Sequence, residues 1–120
     1  APLPLAVLVD AGTASAAEIV AAAIQDYERG PLIGTRTHGK GLVQGLFTLK
    51  DGSSIRITTA RWLTPHGHPI EGVGLQPELI AQNDQEALSL AKEYLANQAG
   101  IVVESLRLPL LGDSDGKVLV

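Results

Sequence analysis

The sequence predicts an α/β fold, on three observations. A short apolar run with β-branched members, Leu5–Val9, leads into a helix-patterned stretch, and a second apolar run begins at Leu32–Ile33. The apolar fraction is 45%, built from Ala, Val, Leu and Ile with one Trp, two Tyr and one Phe, which suits buried strands under Ala-rich helices. The chain of 120 residues holds one small domain and not two.

Each element has its own signal. Leu5–Val9 reads as a buried strand broken by Asp10-Ala11-Gly12. From Ala14 to Arg29 the pattern is helical, with Ile19, Val20, Ala23, Ile24 and Tyr27 on one stripe and Gly30-Pro31 as the stop. Leu32–Ile33 opens the next strand, making a β–α–β unit. Leu42–Leu49 reads as strand, Lys50-Asp51-Gly52-Ser53 as a hairpin turn, and Ser54–Leu63 as the return strand. Thr64–Glu78, with three prolines and three glycines, reads as an ordered loop. Asn83-Asp84 caps a helix to about Gln98 whose apolar face carries Ala87, Leu88, Ala91 and Leu95. Ile101–Leu111 is expected as a further strand and 112–116 as a turn.

Composition excludes several functions. The net charge is −4 with no basic block, so the clustered cations of a nucleic-acid surface are absent. No apolar run reaches the roughly 18–20 residues of a membrane span. Without cysteine there is no disulfide, thiol catalysis or cysteine-ligated metal. The chain also lacks methionine, even at position 1, and is expected to begin inside a longer gene product.

Two stretches carry chemistry. Gly34–Gly41, GTRTHGKG, nearly spells the phosphate-binding G-x-x-x-x-G-K-[ST] loop, but Gly41 stands where a magnesium-binding hydroxyl belongs. The residues after it are also poor helix formers. A degenerate phosphate loop at 34–41, a solvated lysine in a loop, and a lysine held for other chemistry all remain open here. Upstream, Ser15 stands where a strand turns into a helix. Ser15-Ala16-Ala17-Glu18 fits an S-x-x-E capping box, which needs no catalysis. The same turn can present a nucleophile beside free backbone N–H groups.

A serine needs a base. His38, His66 and His68 form no recognisable triad, and His66-Gly67-His68 supplies two metal ligands without a third. Lys40 is the other candidate. A Ser–Lys dyad works with a neutral amine, which requires burial and no adjoining carboxylate to hold the charge. Between Gly34 and Leu49 there is no Asp or Glu.

The segment GTASAAEIVAAAIQDYERGPLIGTRTHGKGLVQ, with its continuation LKDGSSIRITTARWLTPHGHPIEGVGLQPEL, resembles the core of the carboxy-terminal processing proteases, or tail-specific proteases. The resemblance spans about Leu5–Leu79. It implies a ClpP/crotonase-like architecture and a serine endopeptidase that cuts near the C-terminus of protein substrates, without a cofactor. By it Ser15 is the nucleophile, Lys40 the general base and Gln44 the residue orienting the lysine, with the Ala16 N–H as the remaining oxyanion donor. Asp26 matches a position some members need. Eleven residues of helix, about 16 Å, separate it from Ser15, so it is read as structural, tying the helix end to the loop before Lys40. Ala17 stands where many relatives have another serine.

The family's Gly-rich strand end and its PDZ domain have no counterpart in these residues. The 120 residues are therefore expected to be part of a catalytic core, with association between copies as one way to complete it. Protein or peptide C-terminal tails are the implied partners, nucleic acid is not, and the implied setting is periplasmic, lumenal or otherwise extracytoplasmic. The rival reading is a binding or assembly module in which Ser15 is only a helix cap. Asp113-Ser114-Asp115-Gly116 lacks the remaining ligands of a calcium loop and reads as a turn.

Overall fold

A computed structural model of the chain describes residues 3–100. The expected strand at Ile101–Leu111 and the turn at 112–116 lie outside them. Seven elements follow in order: β1 (Val7–Val9), α1 (Ala16–Asp26), β2 (Leu32–Gly34), β3 (Leu42–Thr48), β4 (Ser54–Arg61), β5 (Leu79–Ile80) and α2 (Asp84–Gln98).

The predicted β–α–β unit forms a parallel sheet. Val7, Leu8 and Val9 pair with Leu32, Ile33 and Gly34, and β5 adds to the far side of β2, giving the order β1-β2-β5. Strand β5 follows the stretch expected as loop, Thr64–Glu78, and the sequence assigns no element to its two residues. Two residues are too few to show a period, and only the neighbouring β2 backbone makes them a strand.

Alternation along β1 and β2 splits the core in two. On one face Val9 and Leu32 pack with Ala21 and Ala22 of α1 and with Ile70 and Leu75 of the following loop. On the other, Ile33 meets Ala81, Ala87 and Ala91. This makes three layers, helix on sheet on helix.

Helix α1 turns a different face inward from the one its apolar stripe suggests. Ile19, Val20 and Tyr27 are exposed, while Glu18, Ala21 and Ala22 are buried. Small alanines let the helix lie close to the sheet, and Glu18 is drawn in by hydrogen bonds described below. In α2 the expected Ala87 and Ala91 are buried, Leu95 is half-buried and Leu88 is exposed. The Asn83 side chain caps α2, accepting from the Glu86 amide at 2.9 Å.

Strands β3 and β4 form the expected hairpin, antiparallel, with an irregularity that skips Thr59 opposite Val43/Gln44. Asp51 closes the turn by accepting from the Ser53 amide and hydroxyl at 3.0 and 2.6 Å. Its two strands pair only with each other among the described residues.

Candidate active site

The turn leaving β1 is built by Asp10. Its carboxylate accepts from the amides of Gly12 (2.8 Å) and Thr13 (2.9 Å), an Asx-turn that redirects the chain toward α1. Ser15 follows, at the helix N-cap position, with φ 56° and ψ −120°. An ordinary N-cap is extended, whereas a non-glycine residue at positive φ is strained by about 1–3 kcal/mol. The Glu18 arm of the capping box is made: the Ser15 amide donates to Oε2 at 3.0 Å. The Ser15 side chain faces the Glu18 amide, yet its hydroxyl makes no cap hydrogen bond of good geometry. The capping box expected for Ser15-Ala16-Ala17-Glu18 is thus present in outline, and the positive φ is what departs from an ordinary cap. Ser15 and Ala16 are both exposed, and the Ala16 N–H, at the first helical position, has no intrahelical acceptor.

Glu18 organises the rest. Its side chain is inaccessible to solvent. Oε1 accepts from the Thr37 hydroxyl at 2.5 Å and the Gly39 amide at 2.7 Å, and Oε2 accepts from the Lys40 amide at 2.9 Å as well as from Ser15. Burial alone would push this carboxyl up, but the Thr37 hydroxyl and the amides of Lys40, Gly39 and Ser15 outweigh it and hold it below the ordinary glutamate range. One buried carboxylate thus bridges the backbone of Ser15 to that of Lys40. Thr37 extends the bridge, its hydroxyl accepting from the Leu75 amide at 2.7 Å. The His38 amide donates to the Thr13 carbonyl at 2.9 Å, closing the loop against the β1–α1 turn.

The same contacts exclude the phosphate loop. The amides of Gly39 and Lys40 are committed to Glu18, and that of Gly41 to Glu71 Oε2 at 2.7 Å. A strand, not a helix, follows. An anion cradle needs free N–H groups at a helix N-terminus, and these have carboxylates already. The glycines serve close packing instead. A Cβ on Gly39, at φ +85°, would stand 2.8 Å from the Gly74 nitrogen, and one on Gly41 2.7 Å from that of Glu71.

Lys40 is exposed, contrary to the expected shielding of its amine. The glycines that flank it, Gly39 and Gly41, are buried, and Lys40 belongs to neither core cluster. Glu18 and Glu71 stand near it in space although none adjoins it in sequence. Their bonded oxygens face backbone amides, and no carboxylate lies within 4.0 Å of the Lys40 ammonium among the described residues. Gln44 is exposed on β3, and its Nε2 donates to the Thr58 hydroxyl at 2.7 Å. No hydrogen bond joins it to Lys40 among the described residues. Four extended residues separate the two backbones by about 13 Å.

Asp26 ties the end of α1 to the loop at 64–68, not to the loop before Lys40. Oδ2 accepts from the His66 amide at 2.7 Å, with the His66 ring nitrogen 3.8 Å away. Burial raises its carboxyl, but the Thr64 hydroxyl beside it, the His66 amide and the imidazoles of His66 and His68 together hold it low. Among the described residues no cluster of three metal-ligating side chains surrounds these histidines.

Sequence reasoning missed Glu18 and Thr37 as members of this network. The only local signal for Glu18 was the capping box, since its other partners lie 19 to 22 residues away. A cleft of about 240 Å³ at the C-terminal ends of β1 and β2, walled by Asp10, Thr35, Asn83 and Ala87, lies beside this network and includes neither Ser15 nor Lys40.

Known proteins resemble this chain in sequence and in fold. The Peptidase family S41 profile matches residues 1–81. A carboxyl-terminal-processing protease of Synechocystis is 47% identical over 89 residues, covering 74% of this chain and 20% of that protein. The chloroplastic C-terminal processing peptidase of Tetradesmus obliquus is 48% identical over 97 residues, 81% of this chain and 20% of its own length. The solved photosystem II D1 C-terminal processing protease superposes with a TM-score of 0.66 at 44% identity, over 78% of this chain and 24% of that one. The chain spans about a fifth of the length of the curated relatives it matches.

Proposed function

The chain belongs to peptidase family S41, and on that premise we propose that it carries the Ser–Lys dyad of a serine endopeptidase acting near the C-termini of protein substrates. The observation that carries the reading is the buried Glu18 bridge. It holds a strained serine, whose hydroxyl makes no cap hydrogen bond of good geometry, and the backbone of Lys40 on one carboxylate. A plain helix cap needs neither the strain nor the tie.

The Ser15 hydroxyl attacks the scissile carbonyl and Lys40, as the free amine, takes its proton. The resulting oxyanion lies against the Ala16 N–H at the start of α1, where the helix dipole favours negative charge. The C–N bond then breaks, and the leaving amine takes the proton back from Lys40. Water, deprotonated by Lys40, hydrolyses the acyl ester and frees Ser15. Substrate and the remainder of the protein supply the cover that Lys40 lacks here, since desolvation favours the neutral amine. Gln44 has an amide oxygen free to reach a lysine that leans toward it. Asp26 supports the helix that carries Ser15. Residues 1–81 are then part of a catalytic core, in an extracytoplasmic protein of periplasm or lumen. No helix among the described residues is long and apolar enough to cross a membrane.

A fluorophosphonate probe on the full-length protein tests the dyad. Labelling at Ser15, lost in Lys40→Ala, is the expected result. Labelling that persists undiminished in Lys40→Ala sinks the assignment.

A further inference from the structure

The lysine loop lies between two carboxylates of different standing. Glu18 accepts from four donors, two on each oxygen, and its side chain is inaccessible to solvent. Glu71 is half-buried, and its Oε2 accepts from the Gly41 amide at 2.7 Å. Its Oε1 accepts no hydrogen bond among the described residues. No buried side-chain oxygen among them is left without a partner, so Oε1 stands open to solvent.

The backbone brings that oxygen to the lysine. The Gly72 amide donates to the Gly39 carbonyl at 2.9 Å. A Cβ placed on Gly41 would stand 3.2 Å from the Glu71 Cα. Residues 39–41 therefore lie along residues 70–72, with Lys40 in the middle of the contact. Consecutive Cα atoms are about 3.8 Å apart, and an extended lysine stem carries its nitrogen roughly 6 Å from its Cα. Lys40 is exposed, so a change of rotamer takes its ammonium to Oε1 without moving the backbone. Other charged groups nearby are engaged or carry the same sign. Asp10 faces the Gly12 and Thr13 amides, and the Arg36 guanidinium donates to Gln76 Oε1 and the Val73 carbonyl. His38 is exposed within the lysine loop, and Arg61 stands on β4 opposite Leu42, without an ion pair among the described residues.

We propose that Glu71 is the resting counter-ion of Lys40 and a positioning residue for the dyad. Oε2 seats the lysine loop through Gly41, and Oε1 takes the ammonium between turnovers. An opposite charge within about 4–6 Å favours the charged form of a lysine, so the pair holds the base protonated and idle. The working form is reached when the ammonium leaves Oε1 and gives one proton to solvent. The free amine then takes the Ser15 proton. The carboxylate missing beside Lys40 in sequence is thus supplied from thirty residues beyond Gly41. This rests on the dyad reading for what the amine does, but not for where Glu71 stands.

The test uses the full-length protein and Glu71→Gln, which keeps an amide oxygen for the Gly41 N–H and removes the charge. Two rates are followed across pH: fluorophosphonate labelling of Ser15, and acetylation of Lys40 by acetic anhydride, read by mass spectrometry. Acetylation consumes only the free amine, so it follows the lysine whether or not a dyad exists. Both rates are expected to rise about tenfold in Glu71→Gln at each pH on the acidic limb, the equivalent of one pH unit. The gain disappears on the alkaline plateau. A residue that only seats the loop would leave both profiles in place, because glutamine keeps the seat. Profiles that stay in place in folded Glu71→Gln, or move to higher pH, therefore overturn the proposal. Should Glu71→Gln fail to fold, wild-type acetylation decides. Raising salt from about 0.01 M to about 1 M shortens the screening length from about 30 Å to about 3 Å. The Lys40 profile must then move toward lower pH relative to an N-acetyl-lysine amide standard, and a profile indifferent to salt overturns the pair. A wild type that is not labelled at Ser15 sinks the dyad reading instead, and the acetylation profiles still decide the role of Glu71.

Discussion

Ser15 and Glu18 each have a stability signature at the scale of single residues. Because the Ser15 hydroxyl makes no good cap bond, Ser15→Ala should cost less than about 0.5 kcal/mol, against about 1 kcal/mol for an ordinary N-cap. Ser15→Gly relieves the positive φ and should leave the protein at least as stable as wild type. Urea denaturation of the full-length protein checks both, and a cost above about 1 kcal/mol for the alanine would return the hydroxyl to capping. Glu18 behaves differently. Glu18→Ala strands four buried or half-buried donors, and about 3 kcal/mol or more should be lost. Its carboxyl is held low in the folded state, so its contribution is complete above the unfolded value of about 4.3 and disappears as pH falls through the lower folded value. Stability measured from pH 6 downward should fall less steeply in Glu18→Gln than in wild type, from a lower starting point.

At the scale of elements, two loops are fastened to one short helix. Asp26 fastens the far end of α1 to the 64–68 loop through the His66 amide. Asp26→Asn keeps an acceptor and should retain most of the stability, whereas Asp26→Ala should lose about 1–3 kcal/mol, as for a hydrogen bond to a charged group. Equal losses in the two variants, read by denaturation, would show that the charge and not the bond matters. Gly39 shows the other kind of fastening. An alanine there meets backbone at 2.8 Å and must hold φ +85°. Gly39→Ala should cost about 2 kcal/mol or more and displace Lys40, so that Ser15 labelling slows together with the loss of stability.

Over the whole molecule, the sheet is well filled on both faces while much of the rest is uncovered. Ile19, Val20 and Tyr27 of α1, and Val43, Phe47, Ile55 and Ile57 of the hairpin, remain exposed. By register Val43, Phe47, Ile55 and Ile57 share one face of the hairpin, and an exposed apolar face usually marks contact with another body. The 120-residue chain by itself should self-associate, seen as a concentration-dependent mass in light scattering, and bind a hydrophobic dye. The full-length protein should bind much less dye. A monomeric chain at high concentration with no dye binding would show that these faces need no partner.

The sequence by itself determined the parallel β–α–β unit, the hairpin with its Asp51-Gly52 turn, the cap of α2, and the residues Ser15 and Lys40 with their spacing. These are local signals: apolar period, turn chemistry and motif distance are all written within a few residues. It did not determine which face of α1 is buried, because the Ile19–Val20 stripe is locally the more apolar one and Glu18 is drawn inward only by donors far along the chain. Nor did it disclose β5, whose two residues become a strand by lying next to β2. Only the tertiary structure decided that one buried carboxylate joins the serine turn to the lysine loop, and that the glycines around Lys40 serve backbone packing and not an anion. The reason is physical: a hydrogen bond between residues 15 to 18 and 37 to 40 depends on loop closure around the sheet, and no local pattern records where a closed loop will come to rest.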